Sequence, residues 1–371
     1  MQIIFVNSAR GWEGGPTSAM ELGLGLAELG HSVTLVCHPE SALKRQLEGD
    51  LRVRLAPLAI RAEINPWRVL QLARLNRRTK PDLVLADKRK DVKLSAAARR
   101  LSGDFPIVHR HGAPSPLKDS ILYRYVWTRE VQALVVNSHA MRELLLQHAP
   151  WLKRAVIHVI HNGKDVSHYR PMPELRARMR AKLGIPADAF VISFHGVPQP
   201  RKNVDLLVRA VAELPRELKV HALIIGSGPS LAALHRQSAE LRAPVIFTGI
   251  RNDIPDLLSA ADAAAHLSTA EGFSNSVLEA MACGLPMIVS DATSHPEQVE
   301  DGVQGLLVRP EEWTDVADAI RLLAGDAEAR ARMSKAARQQ VTEEFSSQQM
   351  IERYDQVLRE TVETYRSERR A

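Results

Sequence analysis

Short runs of aliphatic and β-branched residues alternate along this chain with longer stretches whose apolar positions recur every three or four residues. The short runs begin with QIIFV (2–6), SVTLV (32–36), DLVLA (82–86), PIVH (106–109), ALVV (133–136) and VIHVI (156–160). Nearly every position in them is apolar, which predicts strands buried on both faces, as in a parallel sheet. The longer stretches predict amphipathic helices between the strands. In SAMELGLGLAELG (18–30), Ser18 and Glu21 have capping-box spacing and Gly30 stands where a helix would stop.

The alternation pauses at HNGKDVSHYRPMPE (161–174), whose Asn-Gly pair and two prolines read as a linker. It then resumes with FVISF (190–194), KVHALII (219–225), PVIF (244–247), DAAAHL (262–267), PMIVS (286–290) and GLLV (305–308). Helical patterns intervene again in VDLLVRAVAEL, SLAALHRQSAEL, SNSVLEAMACG and TDVADAIRLLAG. The tail from 346 to 366 carries Ser346 and Gln349 at capping-box spacing, then a long helical pattern through Tyr354, Val357 and Leu358. The predicted fold class is α/β: two doubly wound, Rossmann-like domains facing across a cleft, with ligands at the carboxyl ends of the strands. The boundaries follow as 1–165, 166–345 and a terminal helix at 346–371.

A chain of 371 residues is longer than one core usually supports, which agrees with two domains. Cys37 and Cys283 are the two cysteines and form no CxxC pair, so they read as buried thiols in a reducing compartment. The N-terminus MQIIFVNSARG lacks a basic leader, and no run approaches the ~18 apolar residues of a membrane span. A cytoplasmic location is expected, with peripheral membrane attachment open. Charge sharpens this picture. Residues 1–170 hold 26 Lys and Arg against 15 Asp and Glu, whereas residues 171–371 hold 23 against 28. Much of the excess falls between Lys44 and Arg129, in RLNRRTK, DKRKDVK and AARR. A basic half suits an anionic partner, either a membrane surface or a phosphorylated substrate; solvated helix faces are the plainer reading. The clusters lack interleaved aromatics and match no nucleic-acid motif, so no nucleic-acid partner is expected.

Candidate chemistry concentrates in STAEGFSNSVLEAMACG. Here a strand and loop lead to a helix start at Ser274 or Asn275, a good N-cap position. Glu271 falls in the loop and Glu279 more than a turn inside the helix. Free N–H groups and the positive end of the helix dipole lie between them, a seat for phosphate. One carboxylate on either side could accept hydroxyls from opposite ends of a nucleotide sugar; a helix-start carboxylate and a surface glutamate would be the structural alternative. Arg201 and Lys202, in HGVPQPRKNVDLLVRA, stand where a strand gives way to a helix and could neutralise a leaving diphosphate, or simply be an exposed basic loop. Gly14 and Gly15 fall in the first strand-to-helix loop, where glycine admits a phosphate to the backbone or makes a flexible turn. His109 and His111 follow a strand, and read as structural histidines, active-site contacts or, lacking a third ligand, a weak metal pair.

On these residues the chain resembles the retaining, GT-B fold enzymes of glycosyltransferase family 4, over nearly its whole length. The glutamate pair Glu271 and Glu279, within EGFSNSVLEAMACGLPMIVSD, carries most of the likeness. VIHNGKDVSHYRP, GHSVTLV, TGIRNDIPDLLSAAD and PEQVEDGVQGLLV add to it. The resemblance implies a terminal helix that crosses back to the first domain. It implies that Glu271 and the backbone of Phe273, Ser274 and Asn275, with Ser276 beside them, bind the donor sugar, and that Glu279 binds the ribose. Lys202, with Arg201, would contact the diphosphate, Gly14 and Gly15 would approach the phosphates, and His111 would lie near the sugar.

The implied reaction is retaining, metal-independent hexosyl transfer from a nucleotide diphosphate sugar, UDP or GDP, without a cofactor. The acceptor would be a glycan or glycolipid, phosphorylated or membrane-borne, as in lipopolysaccharide or other cell-surface glycan synthesis. Two departures stand out. Val197 occupies the place of an arginine usual in the family, a charge Arg201 would have to supply, and GGPTSAM lacks the larger polar residue that often follows the glycines. A GT-B epimerase or sugar phosphorylase, or a non-catalytic nucleotide-sugar-binding protein, would share much of this pattern.

Overall fold

A computed structural model describes residues 1–11, 14–60 and 65–370. The chain divides into two compact units, Met1–Asn162 with Ser347–Ala371, and Gly163–Ser346.

In the first unit, seven parallel strands among the described residues form one sheet: β1 (Gln2–Asn7), β2 (Ser32–Cys37), β3 (Val53–Pro57), β4 (Leu83–Ala86), β5 (Ile107–His111), β6 (Ala133–Val136) and β7 (Ile157–Val159). Their order is β3-β2-β1-β4-β5-β6-β7, which reverses direction between β1 and β4. The period of two explains why these strands read as apolar throughout. Ile3 and Phe5 face a layer containing Leu22, Leu26, Tyr354 and Leu358. Ile4 and Val6 face the opposite layer, with Leu72, Val92 and Trp127. Each fully buried side chain of this kind contributes about 1.5–3 kcal/mol. The last helix, Ser347–Arg370, buries Met350, Tyr354, Val357, Leu358 and Val362, a stripe at helical spacing. Gly25 lets this helix approach, since a Cβ there would overlap the side chain of Ile351.

Several elements differ from the sequence expectation. The first helix runs Gly14–Glu28, so Gly14 and Gly15 form its first turn and Ser18 lies inside it. Pro16 is tolerated there because first-turn N–H groups have no helical partner to lose. β3 was hidden because it is a sheet-edge strand carrying Arg54, with only Val53 fully buried. His109 and His111 lie within β5, not beyond it. The basic runs fall on two helices, Pro66–Thr79 and Arg89–Ser102.

The second unit repeats the plan, with six parallel strands among the described residues: β8 (Phe190–His195), β9 (Val220–Ile225), β10 (Val245–Gly249), β11 (Ala263–His266), β12 (Met287–Ser290) and β13 (Gly305–Val308). The order β10-β9-β8-β11-β12-β13 reverses between β8 and β11. Both sheets are thus doubly wound α/β layers of Rossmann type. Val191 faces a core of Phe273, Val277 and Met281. Ile192 and Phe194 face the other, with Leu207, Val208 and Ile320. The end of the expected linker is helical: Pro173 opens the helix Pro173–Leu183, a position that suits its fixed φ and missing N–H. No helix among the described residues is long and apolar enough to cross a membrane.

Candidate functional site

In a doubly wound sheet, ligands bind where the strand order reverses, beyond the carboxyl ends of the two diverging strands. In the second unit these strands are β8 and β11. β8 ends at His195 and is followed by Gly196, with φ +133°. Gly226, after β9, has φ +130°, and a Cβ on it would overlap the carbonyl oxygen of Gly196. Gly228 likewise leaves room for the Pro198 carbonyl, so the segment after β9 packs closely on the start of the 197–203 loop. The loop tightens into a short turn, Pro200–Lys202, and Asn203 in the left-handed region (φ 47°) leads into the helix Val204–Glu213.

β11 delivers the facing loop. The Thr269 N–H donates to the Arg201 carbonyl (3.0 Å), and the Ser290 hydroxyl to that of Ser268 (2.5 Å). Glu271 comes to rest between the loops. Its Oε1 accepts from Arg201 Nη1 (2.7 Å), from Ser268 Oγ (3.0 Å) and from Lys202 Nζ. Arg201 also donates to the Ala270 carbonyl at 2.6 Å. Burial alone would raise the Glu271 carboxyl, but Lys202 and Arg201 outweigh it and hold it below its usual range. Burial lowers Lys202, against the attraction of Glu271. Among the described residues Glu271 Oε2 has no hydrogen-bond partner, so one oxygen is left for a ligand hydroxyl. Val197 is partly exposed and brings no charge; Arg201 stands beside Lys202 on the same carboxylate.

The helix Asn275–Ala282 starts immediately beyond. Ser274 is its N-cap, with Oγ accepting from the Val277 N–H at 3.4 Å. A buried glutamine, Gln298, clamps the cap residue. Its amide oxygen accepts from the Ser274 N–H (3.0 Å) and its amide nitrogen donates to the Ser274 carbonyl (2.9 Å). Phe273 anchors the loop edge-on against Phe345, with ring centroids 5.3 Å apart. Ser276 lies against Gly196, 3.5 Å from the position of a Cβ there.

Glu279 sits one turn further in. Its Oε1 lies 3.2 Å from Lys164 Nζ and its Oε2 is 3.1 Å from His195 Nε2. Burial would raise this carboxyl, yet Lys164 and His195 bring it down to about 2. Lys164 is wholly buried, and its own N–H donates to the Phe345 carbonyl at 2.9 Å. His195 Nδ1 and both ring nitrogens of His266 are buried without a partner among the described residues. The two rings meet edge to face at 5.2 Å.

Arg201, Lys202 and Glu271 therefore form one cluster, with Phe273, Ser274, Asn275, Ser276 and Glu279 following on the adjoining loop and helix. Gly14, Gly15 and His111 belong to the first unit. A Cβ at Gly15 would meet nothing within 4 Å, so packing within the chain does not demand glycine there. His111 ends β5, and burial beside Arg89 lowers it to about 4. His109 is occupied structurally, its Nδ1 accepting from Trp127 Nε1 at 2.9 Å. The sequence reading missed Lys164, His195, Ser268 and Gln298. A lysine inside an Asn-Gly segment and a histidine closing an apolar strand were the available signals for the first two; Ser268 and Gln298 carried none.

Comparison with known proteins follows this division. The family model described as Glycosyltransferase Family 4 matches residues 12–168, and that described as Glycosyl transferases group 1 matches residues 176–340. D-inositol 3-phosphate glycosyltransferase of Saccharomonospora viridis is 32% identical over 252 residues, covering 64% of this chain and 57% of that protein. Its counterpart from Nocardia farcinica is 34% identical over 233 residues, covering 60% of this chain and 51% of that protein. The chain spans little more than half the length of these curated relatives. Among solved structures, Anabaena HepE in complex with UDP aligns with a TM-score of 0.86 at 24% identity, over 97% of this chain and 100% of that one. WaaG, a glycosyltransferase involved in lipopolysaccharide biosynthesis, aligns with a TM-score of 0.73 at 16% identity, over 96% and 99%. The solved neighbours share the GT-B fold over nearly the whole chain, and each of the two family models matches less than half of it.

Proposed function

We propose that this chain transfers a sugar from a nucleotide diphosphate sugar to an acceptor hydroxyl, with retention at the anomeric carbon and without a metal ion or cofactor. The observation that carries the reading is the Arg201–Glu271–Lys202 cluster at the reversal point of the second sheet, beside the N-terminus of the Asn275–Ala282 helix. Two cations and a helix start at one place match a leaving diphosphate. Glu271 keeps one oxygen for the sugar hydroxyls, and Glu279, one turn into the helix, takes the ribose. As the bond from anomeric carbon to diphosphate oxygen breaks, the new bond to the acceptor oxygen forms on the same face. The acceptor proton passes to the departing diphosphate. Lys202 and Arg201 stabilise the charge that develops, and Glu271 positions the ring without bonding to it.

UDP is the nucleotide best supported as carrier of the donor sugar, because HepE aligns over nearly the whole chain and is described in complex with UDP and with UDP-glucose; GDP is the second choice. The name of the curated relatives favours a phosphorylated acceptor, which suits the basic first unit. A glycan or glycolipid of the cell surface, reached from an anionic membrane face, fits the same charge and extends the proposal towards lipopolysaccharide synthesis. Thermal shift with UDP-, GDP- and ADP-glucose tests the donor, since a bound ligand stabilises the native state by mass action. NMR of the product's anomeric proton tests retention. Stabilisation by none of the three nucleotides, or a product of inverted configuration, would overturn the reading.

A further inference from the structure

The loop that carries Glu271 is held from behind by one segment, the turn and short helix that follow β12. Ser290, the last residue of β12, donates its hydroxyl to the Ser268 carbonyl at 2.5 Å. Thr293 Oγ1 accepts the Glu271 N–H at 3.1 Å, and Ser294 Oγ donates to the Glu271 carbonyl at 3.5 Å. His295 Nδ1 closes the turn, 3.0 Å from the Ser290 carbonyl. Gln298, at the end of the helix His295–Gln298, clamps Ser274. Thr293 differs from the rest of this segment in its backbone. Its φ of 50° lies in the left-handed region, where a β-branched residue is an outlier because Cβ crowds the following carbonyl. Lys80, Lys219 and Arg242 share that conformation, but each ends a helix, where it closes the last turn. Thr293 ends no helix, and among the described residues it is the one β-branched side chain with positive φ. Strain of this kind persists where the surroundings over-determine it, and it gathers at functional sites. The bond that accompanies it here is the one to Glu271, whose N–H lies in a loop outside any strand or helix.

We propose that Thr293 is a positioning residue for Glu271: its hydroxyl, presented from a strained turn, fixes the Glu271 backbone and so aims the carboxylate at the donor sugar. The inference rests on the transfer reading above. Arg201, Lys202 and Ser268 hold one carboxylate oxygen, but all three act on the far end of a side chain with rotatable bonds. Thr293 and Ser294 act on the main chain from which that side chain springs. The two sets together leave Glu271 Oε2 a single direction to face, and a small displacement of a positioning group is enough to slow a reaction.

The test compares the full chain with Thr293→Gly and Thr293→Ser. It reads melting temperature, UDP release from UDP-glucose with water as the acceptor, and calorimetric affinity for UDP. Glycine removes the hydroxyl and the strain together. Thr293→Gly should therefore melt no lower than the wild type while its kcat falls roughly 10–100-fold. Affinity for UDP, which carries no sugar for Glu271 to hold, should stay at the wild-type value and reports that the variant is folded. Thr293→Ser keeps the hydroxyl and should keep kcat. Wild-type kcat in the glycine variant, equal losses in both variants, or a fall of melting temperature and UDP affinity alongside kcat would overturn the proposal. Carboxyl NMR gives a reading that needs no turnover. Burial would raise Glu271, but Lys202 and Arg201 hold it low. Its titration should move up towards the ordinary range in Thr293→Gly and not in Thr293→Ser; an unmoved titration would overturn the proposal. A wild type that neither binds nor cleaves UDP-, GDP- or ADP-glucose would overturn the transfer reading instead, and the titration would still decide the role of Thr293.

Discussion

Glu271 and Glu279 stand eight residues apart, and each is held by two basic side chains, yet their surroundings are opposite. Glu271 lies in a loop, and three donors share one of its oxygens while the other stays open. Glu279 lies on a helix with both oxygens engaged, one by Lys164 and one by His195. The first arrangement is an ion cluster that a substrate can enter and rearrange. The second fixes a carboxylate in place. An open charge contributes through what it does when charge develops; an enclosed one contributes through preorganisation and is costly to disturb.

The difference can be broken most forcefully at Lys202. Lys202→Met should lower kcat by roughly 10²–10³-fold, as when an oxyanion donor is lost, with little change in melting temperature. A steady-state assay paired with a melt checks both halves. Lys164→Met should do the reverse, destabilising the protein by about 3 kcal/mol because Glu279 is left buried with only His195 to balance it. Denaturant titration measures this, and adding Glu279→Gln should restore much of the loss; no rescue would mean that Lys164 acts through packing alone.

A pH series sharpens the contrast. Glu279, lowered to about 2, should remain ionised at pH 4 by carboxyl NMR. Its stabilising contribution is present above about 4.5 and is lost only as pH falls through about 2. Burial lowers His111 and His295 to about 4, so between about 6.5 and 4 the unfolded chain binds the protons the native state refuses. Stability should therefore fall as pH drops through that window, by roughly 2 kcal/mol per histidine at pH 5. Asp91, raised to about 6 by burial, has the opposite sign and offsets part of the fall. The smallest expected effect is at the cap between the two carboxylates. Ser274→Ala should cost about 1 kcal/mol by denaturant titration, since Gln298 still clamps the backbone.

The strands were legible because residues buried on both faces of a parallel sheet leave an apolar signature that needs no partner to interpret. β3 lost that signature at the sheet edge. The first helix was shortened because Gly-Gly-Pro reads as a loop unless its lack of helical partners at a first turn is recognised. In the site, Glu271, Lys202 and the cap at Ser274 could be singled out because loop and helix start are local features. Lys164 and His195 could not. Their shared partner lies far along the chain, 84 residues from His195, and a charge buried by a distant opposite charge looks like any surface lysine.

The placement of the last helix has a consequence for how the protein is made. Gly163–Ser346 is a single uninterrupted stretch whose first and last residues adjoin, the Lys164 N–H reaching the Phe345 carbonyl at 2.9 Å. The first unit, by contrast, needs Tyr354, Val357 and Leu358 to cover the layer formed by Ile3, Phe5 and Leu35. On the ribosome, the segment synthesised first must wait with part of one face of its sheet uncovered, beside Leu22 and Leu26, while the later unit emerges whole. Maturation therefore runs against the direction of translation, and a nascent chain stalled before residue 347 presents an apolar surface to chaperones and proteases.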